Sequence, residues 1–310
     1  MQIYKSNYMI DEYVNKLIEN LPEETKKLQY IDLVLDGGIF NGSYLVGSLY
    51  FLKEMEKRKY LKIARISGCS IGSIVAFLYY IDSLDLIPKL YEILNEEFKK
   101  NYTLNTIKSL KIHLQERIPN DICSKVNNKL FICYHDLKKC KKIVKSNYKN
   151  IDDIINTIVK SCYVPFLIDK NMLYKKKYID GINAYIFKQQ TNRKILHMEL
   201  FGYDKFIYAL NIKNEKTNFH RILSGLLDVH SFFIKKTNTP MCSFVNDWSI
   251  FNRFNYNIKL LLEYIFVNIF YILIYVKKYI PEEFKDNIIF KIISKIIFDI
   301  FSIILETYCL

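Results

Sequence analysis

A serine between two glycines at a strand-to-helix junction constrains the fold of this 310-residue chain more than any other feature. The segment Gly68-Cys69-Ser70-Ile71-Gly72 follows a short apolar run, Leu61–Ile66, and precedes an apolar helical pattern, Ile74–Ile81. So sharp a turn leaves little room for a Cβ at either flanking position, which favours glycine there. The pattern is typical of a nucleophile elbow, in which the serine hydroxyl is exposed above the positive end of a helix.

A second strand-to-helix junction precedes this one. The buried-type strand Ile31–Leu35 leads into the loop Asp36-Gly37-Gly38-Ile39-Phe40-Asn41-Gly42. A helix follows, with apolar residues at helical spacing from Leu45 to Met55. Two successive strand–helix units predict a parallel sheet with helices on its faces.

The rest of the chain adds elements of the same kind. We predict an N-terminal helix at 9–21, a strand at Leu130–Tyr134 with a lysine-rich hairpin after it, a helix at 151–162, strands at Lys175–Gly181, Ile195–Phe201 and Phe206–Ile212, and a helix at 218–234. Residues 84–128 are predicted to be mostly helical. The predicted fold class is an α/β three-layer sandwich with a mainly parallel central sheet flanked by helices, followed by a helical C-terminal extension.

The C-terminal part differs in composition. Leu260–Val276 is almost wholly apolar apart from Glu263 and Asn268, and Ile288–Leu305 is apolar with a charged residue every four positions. The second pattern indicates an amphipathic helix. We therefore predict a catalytic domain at 1–235 and an apolar or amphipathic helical extension at 236–310.

The charge and cysteine content limit the partners and the compartment. Basic residues exceed acidic ones, giving a net charge of +13. This favours anionic partners in general, but nothing in the pattern predicts a nucleic-acid ligand. Seven cysteines without metal-type spacing indicate free thiols in a reducing, intracellular compartment, and no metal or cofactor is expected.

The glycine-rich loop and a distant aspartate supply the rest of a candidate site. Backbone N–H groups of the loop 36–42, at a helix N-terminus, form a cradle for an oxyanion. A serine nucleophile also needs a base. None of the five histidines stands in a recognisable triad context, whereas Asp180 lies at a predicted strand end and is followed by Gly181. A partly buried carboxylate of this kind could take the serine proton directly.

Together these segments resemble the patatin-like phospholipase family. That family has a glycine-rich oxyanion loop, a Gly-x-Ser-x-Gly elbow and a distant Asp-Gly, which correspond to 36–42, 68–72 and Asp180-Gly181 here. The segment Ser161–Phe166 matches a further family segment that precedes the aspartate. The order and spacing agree over roughly residues 28–215. Three positions depart from the family pattern: Ile39 replaces the third glycine, Asn41 replaces an arginine or lysine, and Ile182 stands where a second glycine is common.

The resemblance implies a lipid acyl hydrolase with a Ser–Asp dyad. Ser70 would be the nucleophile and Asp180 the general base, while Gly37, Gly38 and Ile39 would supply the oxyanion N–H groups. The supporting glycines would be Gly42, Gly68, Gly72 and Gly181. The implied substrate is a phospholipid or another acyl lipid, cleaved through an acyl-enzyme.

Two alternatives and a membrane role accompany this hypothesis. The chain could be a catalytically degenerate relative that keeps the fold, or an α/β-hydrolase using His197, His220 or His230 as the base. Leu260–Val276 is close to the shortest length that spans a bilayer, and Glu263 is costly at its centre, so a buried or interfacial helix is favoured. We expect association with a membrane surface through the C-terminal helices.

Overall fold

The computed structural model describes residues 2–200, 209–213, 215 and 217–279, and the single positions 295, 299, 303 and 307. Within these residues the helices and strands follow in this order: α1 (Gln2–Glu19), β1 (Gln29–Leu35), α2 (Gly42–Lys57), β2 (Leu61–Gly68), α3 (Ile71–Tyr80), α4 (Ile87–Asn101), α5 (Leu110–Leu114), α6 (Ile122–Val126), β3 (Leu130–Asp136), β4 (Lys141–Lys145), α7 (Ile151–Ser161), β5 (Tyr178–Ile179), β6 (Lys194–Met198), α8 (Phe219–Lys235), β7 (Cys242–Phe244) and α9 (Ile250–Tyr279).

In the described part of the chain, seven strands form one mixed sheet in the order β4-β3-β2-β1-β6-β7, with β5 also paired to β3. The centre is parallel: β1 lies between β2 and β6, and β2 pairs with β3. The outer pairings β3–β4, β3–β5 and β6–β7 are antiparallel. Because β1 and β2 are adjacent and parallel, the turns that follow them meet at the same edge of the sheet.

The two faces of the sheet are covered differently. Ile31, Leu33 and Leu35 of β1 belong to the main core, together with buried residues of α1 to α4, α7 and α8. Val34 on the opposite face packs in a smaller cluster with Phe187 and residues near Val245. Alternating residues of β1 are therefore buried on both sides, as expected for a central parallel strand.

The parallel centre, the flanking helices and the lysine-rich β3–β4 hairpin are as predicted, and several boundaries move. The strand predicted at 175–181 is only the two-residue β5, and the region 84–128 divides into three helices. The helix predicted from Leu260 begins ten residues earlier, at Ile250. The predicted strand 206–212 is wrong at residues 209–212, which form no strand, and 206–208 lie outside the described residues. Most of the predicted helix 288–305 also lies outside the described residues.

Candidate functional site

The turn between β2 and α3 holds Ser70 in a backbone conformation that few non-glycine residues adopt. Its φ is 49° and its ψ is −131°, and it caps the N-terminus of α3. Its N–H donates to Ser161 Oγ at 2.9 Å. A Cβ on Gly68 would lie 2.6 Å from the carbonyl oxygen of Gly72, so the flanking glycines allow the turn to close. The structure thus forms the elbow that the sequence predicts.

The glycine-rich loop after β1 packs directly against this turn. A Cβ on Gly37 would lie 3.0 Å from Ser70 Cβ, and one on Gly72 would lie 2.5 Å from the carbonyl oxygen of Leu35. Gly42, at the start of α2, is similarly close to the side chain of Ile71. The two strand-to-helix turns are therefore in contact through their glycines, and the loop borders the serine.

Ile39 occupies the position where the family has glycine, and its φ is 48°. Ile182, two residues after Asp180, also has a positive φ, 60°. Both isoleucines are β-branched, and for such residues the left-handed region is sterically unfavourable. The backbone thus keeps a glycine-like conformation at two positions where this sequence has no glycine, at a cost on the order of 1–3 kcal/mol each.

Asp180 is buried beside Ser70. Its Oδ1 accepts the N–H of Ile182 at 2.6 Å, and its own N–H donates to the carbonyl of Tyr163 at 2.9 Å. Burial raises the pKa of the carboxyl from 3.8 to about 6, while the hydrogen bond from the Ile182 N–H and the nearby Ser70 hydroxyl oppose that rise. The structure therefore brings together the two residues that were predicted to act as nucleophile and base, and the pKa of Asp180 lies near that expected of a general base.

An apolar cavity opens from Ser70 into the helical layer. Its volume is about 30 Å³ and it is lined by Ser70 and mostly apolar side chains, and a second apolar cavity of about 40 Å³ shares six lining residues with it. The shared residues are Ile39, Phe40, Ile71, Ile74, Leu94 and Ile107. An apolar lining next to the Ser70 hydroxyl favours a hydrocarbon group over a polar substituent.

Arg221, which no sequence motif singles out, braces the glycine-rich loop. This arginine on α8 is fully buried, and its guanidinium donates to Asn41 Oδ1 at 2.8 Å and binds Glu215 with both Nε and Nη2. Asn41 in turn donates to the carbonyl of Leu200 at 3.2 Å. Asn41 thus links the glycine-rich loop to a buried cation on α8. The helical spacing of Arg221 with the buried residues Gly225 and Val229 is the signal that could have revealed it.

The histidines have other partners. His197 Nε2 lies 3.2 Å from Asp36 Oδ1, and His220 Nε2 lies 3.3 Å from Glu215. The ring of His230 packs edge-on against Phe51. Among the described contacts of Ser70 there is none with a histidine, and its titratable neighbour is Asp180.

Helix α9 runs along the site side of the domain. From Ile250 to Val276 it is long and apolar enough to cross a membrane by length and composition. One stripe nevertheless contacts the domain: Lys259 lies 4.0 Å from Asp36 and also pairs with Glu199, while Glu263 is buried. The other side exposes large apolar residues, which include Phe251, Phe254, Leu261, Leu262, Ile265, Ile269, Ile272 and Leu273.

Part of this chain is similar to known proteins. The family model for the patatin-like phospholipases matches residues 33–182, from β1 through the Asp180 loop. The mouse (Mus musculus) protein 1-acylglycerol-3-phosphate O-acyltransferase Pnpla3 is 24% identical over 153 residues, which are 46% of this chain and 37% of that protein, so the match spans little more than a third of the relative's length. Among solved structures, VipD from Legionella pneumophila aligns over 54% of this chain and 49% of its own, with 14% identity and a TM-score of 0.37. Residues 33–182 of this chain are a patatin-like phospholipase domain.

Proposed function

We propose that this protein hydrolyses acyl esters of lipids through Ser70 and Asp180. The observation that carries this proposal is the position of the Ser70 side chain between the buried carboxyl of Asp180 and an apolar cavity. A candidate nucleophile, a base of suitable pKa and an apolar lining thus meet at one side chain. The family of residues 33–182 supports a lipid substrate.

The geometry suggests the order of the steps. Asp180, ionised above about pH 6, takes the Ser70 proton as the serine oxygen attacks the ester carbonyl. The backbone N–H groups of Gly37, Gly38 and Ile39 stabilise the oxyanion. Asp180 then passes the proton to the departing alcohol and leaves an acyl-serine. Water, deprotonated by the same carboxylate, then attacks the acyl group, and Asp180 returns the proton to the Ser70 oxygen as the fatty acid is released.

The same acyl-enzyme could pass its acyl group to an alcohol instead of water. The name of the mouse relative describes an acyltransferase, which favours this second candidate activity. The two activities share the first half of the reaction and differ in the acceptor. Product analysis with a lysophospholipid present separates them, because transfer consumes the lysophospholipid and hydrolysis does not.

We also infer that the substrate is taken from a membrane surface to which α9 docks. Its exposed face carries many large apolar side chains and its other face is attached to the domain, so an in-plane helix fits better than a spanning one. The neighbouring β3–β4 hairpin exposes Lys138, Lys139 and Lys141. Lysines beside an apolar helix face suit a bilayer that contains anionic lipid.

Labelling with a fluorophosphonate probe tests the proposed nucleophile. We expect the wild type to be labelled, and Ser70→Ala to lose labelling and about 10⁴-fold or more of the rate of ester hydrolysis. Asp180→Asn should lose a comparable part of the rate, because no other base contacts the hydroxyl in the described residues. Ser67→Ala, three residues earlier on β2, is the matched control and should remain labelled.

The labelling result also decides among the alternatives. An unlabelled wild type that is folded and supplied with vesicles would identify a catalytically degenerate relative. Full activity in Asp180→Asn, combined with loss in a variant of His197, His220 or His230, would favour a histidine-dependent hydrolase.

A further inference from the structure

Helix α9 carries one buried carboxylate in the middle of its apolar sequence. Glu263 is only 6% exposed and makes three charge-assisted hydrogen bonds. It accepts from His135 Nε2 at 2.8 Å, from Lys142 Nζ at 2.8 Å and from Asn183 Nδ2 at 2.7 Å. A carboxylate with this many partners is fixed in position, and the helix that carries it is fixed with it.

All three partners lie on elements next to Asp180: strands β3 and β4, and the loop that carries Asp180 itself. His135 on β3 is the register partner of Ile179 on β5, the residue immediately before Asp180. Lys142 lies opposite His135 on β4. Asn183 is three residues after Asp180 and also donates to the backbone carbonyl of Lys259 on α9 at 3.4 Å. The loop that carries Asp180 is thus bonded to α9 on one side and to the sheet on the other.

The same cluster sets the charge around Asp180. The positive charge of Lys142 lowers the pKa of Asp180 and the negative charge of Glu263 raises it, both less strongly than burial raises it. The other groups facing the carboxyl are His135 behind Glu263, the Ser70 hydroxyl, and the thiols of Cys69 and Cys162, whose pKa values are raised by burial so that they are neutral. Glu263 therefore acts on Asp180 through both position and charge.

We propose that Glu263 is a positioning residue that couples α9 to the loop of Asp180, so that the lipid-facing helix and the catalytic carboxylate form one unit. This inference rests on the proposed function, because it needs Asp180 to be the base. Phe270, further along the same stripe, is buried against Leu137 and Ile179 and strengthens the same attachment. A membrane that holds the outer face of α9 would thereby fix the geometry of the site.

The test compares Glu263→Gln and Glu263→Ala with Glu56→Gln and Glu56→Ala. Glu56 is a fair match, because its carboxylate also accepts a backbone N–H and a tyrosine hydroxyl, and it lies beside the first residues of β2, at the opposite end of that strand from the Ser70 turn. Rates are measured on a soluble short-chain ester and divided by the fraction of Ser70 that the fluorophosphonate probe labels. This division removes molecules that have not folded.

We expect Glu263→Ala to lose on the order of tenfold or more in kcat per labelled serine, because a displacement of about 1 Å in a catalytic group can cost about 100-fold. In Glu263→Gln the acid limb of the kcat/KM profile should move to lower pH, because the lost negative charge no longer disfavours the ionised carboxyl. Lys142→Gln should move that limb to higher pH. A purely structural role would change the melting temperature without moving the limb.

Asn183→Ala provides a second variant if Glu263→Ala does not fold. It removes the bond to the loop and leaves His135 and Lys142 on Glu263, so α9 should still bind phosphatidylcholine–phosphatidylserine vesicles while kcat falls. The inference would be overturned if both Glu263 variants had the same kcat per labelled serine, and the same acid limb of the kcat/KM profile, as the Glu56 controls. A wild type that is not labelled at Ser70 would instead overturn the proposed function.

Discussion

Two adjacent strand-to-helix turns of this protein place a non-glycine residue in the left-handed region of the backbone. After β2 it is Ser70, with φ of 49°, and after β1 it is Ile39, with φ of 48°. The serine turn is supported locally: Gly68 and Gly72 allow the chain to close, and the Ser73 hydroxyl donates to the carbonyl of Ser70 at 2.6 Å. Its strain holds a hydroxyl at the tip of the turn.

The β1 turn is held from further away. Asn41 of this turn bonds to the carbonyl of Leu200 and to Arg221 of α8, 180 positions along the chain. The difference shows that the β2 turn is held by contacts within a few residues, whereas the β1 turn is held in addition by a distant buried cation. Removing the distant support should therefore affect the β1 turn more than the β2 turn.

Arg221→Met should have the largest effect on stability. It leaves the Glu215 carboxylate, whose side chain is 14% exposed, without its arginine, and breaking such a buried pair costs about 3–5 kcal/mol. Asn41 also loses a hydrogen bond, so hydrolysis should fall beyond the loss of folded protein. Urea unfolding measures the first effect, and the rate per probe-labelled Ser70 measures the second.

The control for this variant is Arg58→Met near the end of α2. Arg58 is half-buried and bonds to Glu54 and Asn15, so its loss should cost about 1 kcal/mol or less. The double variant Arg221→Met with Glu215→Gln should recover part of the lost stability, because the unpaired charge is gone. Equal losses for Arg221→Met and Arg58→Met would show that α8 does not brace the loop.

The same difference explains what the sequence could predict. The elbow and the β1 loop are local patterns, because glycines beside a short strand and an apolar helix determine the turn. Asp180 required the family resemblance, since Asp-Gly alone is an ordinary turn. Arg221 and the outward-facing side of α9 depend on which helix packs where, and local spacing does not encode that. At Ile39 and Ile182 the local sequence would predict a different backbone, because tertiary packing imposes a positive φ that their own side chains disfavour.

The turn after β5, which carries Asp180, gives a prediction whose expected effect on stability is intermediate in size. Burial raises the pKa of Asp180 to about 6 in the folded state, above its ordinary value of 3.8. Between these values the folded protein holds a proton that the unfolded chain has released, so stability from this group is present below about pH 4 and is lost as the pH rises through about 6. The loss amounts to about 3 kcal/mol.

Asp180→Asn should therefore be inactive and, relative to the wild type, more stable at pH 8 than at pH 4 by about this amount. Urea unfolding of both proteins at the two pH values measures it, and groups that titrate equally in both cancel in the difference. Hydrolysis by the wild type should fall below about pH 6, as the base becomes protonated. The wild type and Asp180→Asn are compared by their free energies of unfolding. If these differ by the same amount at pH 4 and pH 8, burial does not destabilise the ionised carboxyl of Asp180.

Glycine substitution at Ser70 and at Ile39 compares the two turns directly, with the smallest expected changes in stability. Ser70→Gly relieves a strain of about 1–3 kcal/mol and loses about 0.5–1 kcal/mol to the greater freedom of the unfolded chain, so a net gain in stability is expected together with complete loss of hydrolysis.

Ile39→Gly relieves similar strain but removes a side chain that packs against the core and lines both cavities, which offsets the gain. Its stability should change by less than about 1 kcal/mol, while hydrolysis of long-chain esters falls relative to short-chain ones. Thermal unfolding and the ratio of the two rates measure these effects. A larger gain at Ile39 than at Ser70 would mean that the β1 turn is the more strained of the two, and that Arg221 holds it against a greater cost than its φ alone indicates.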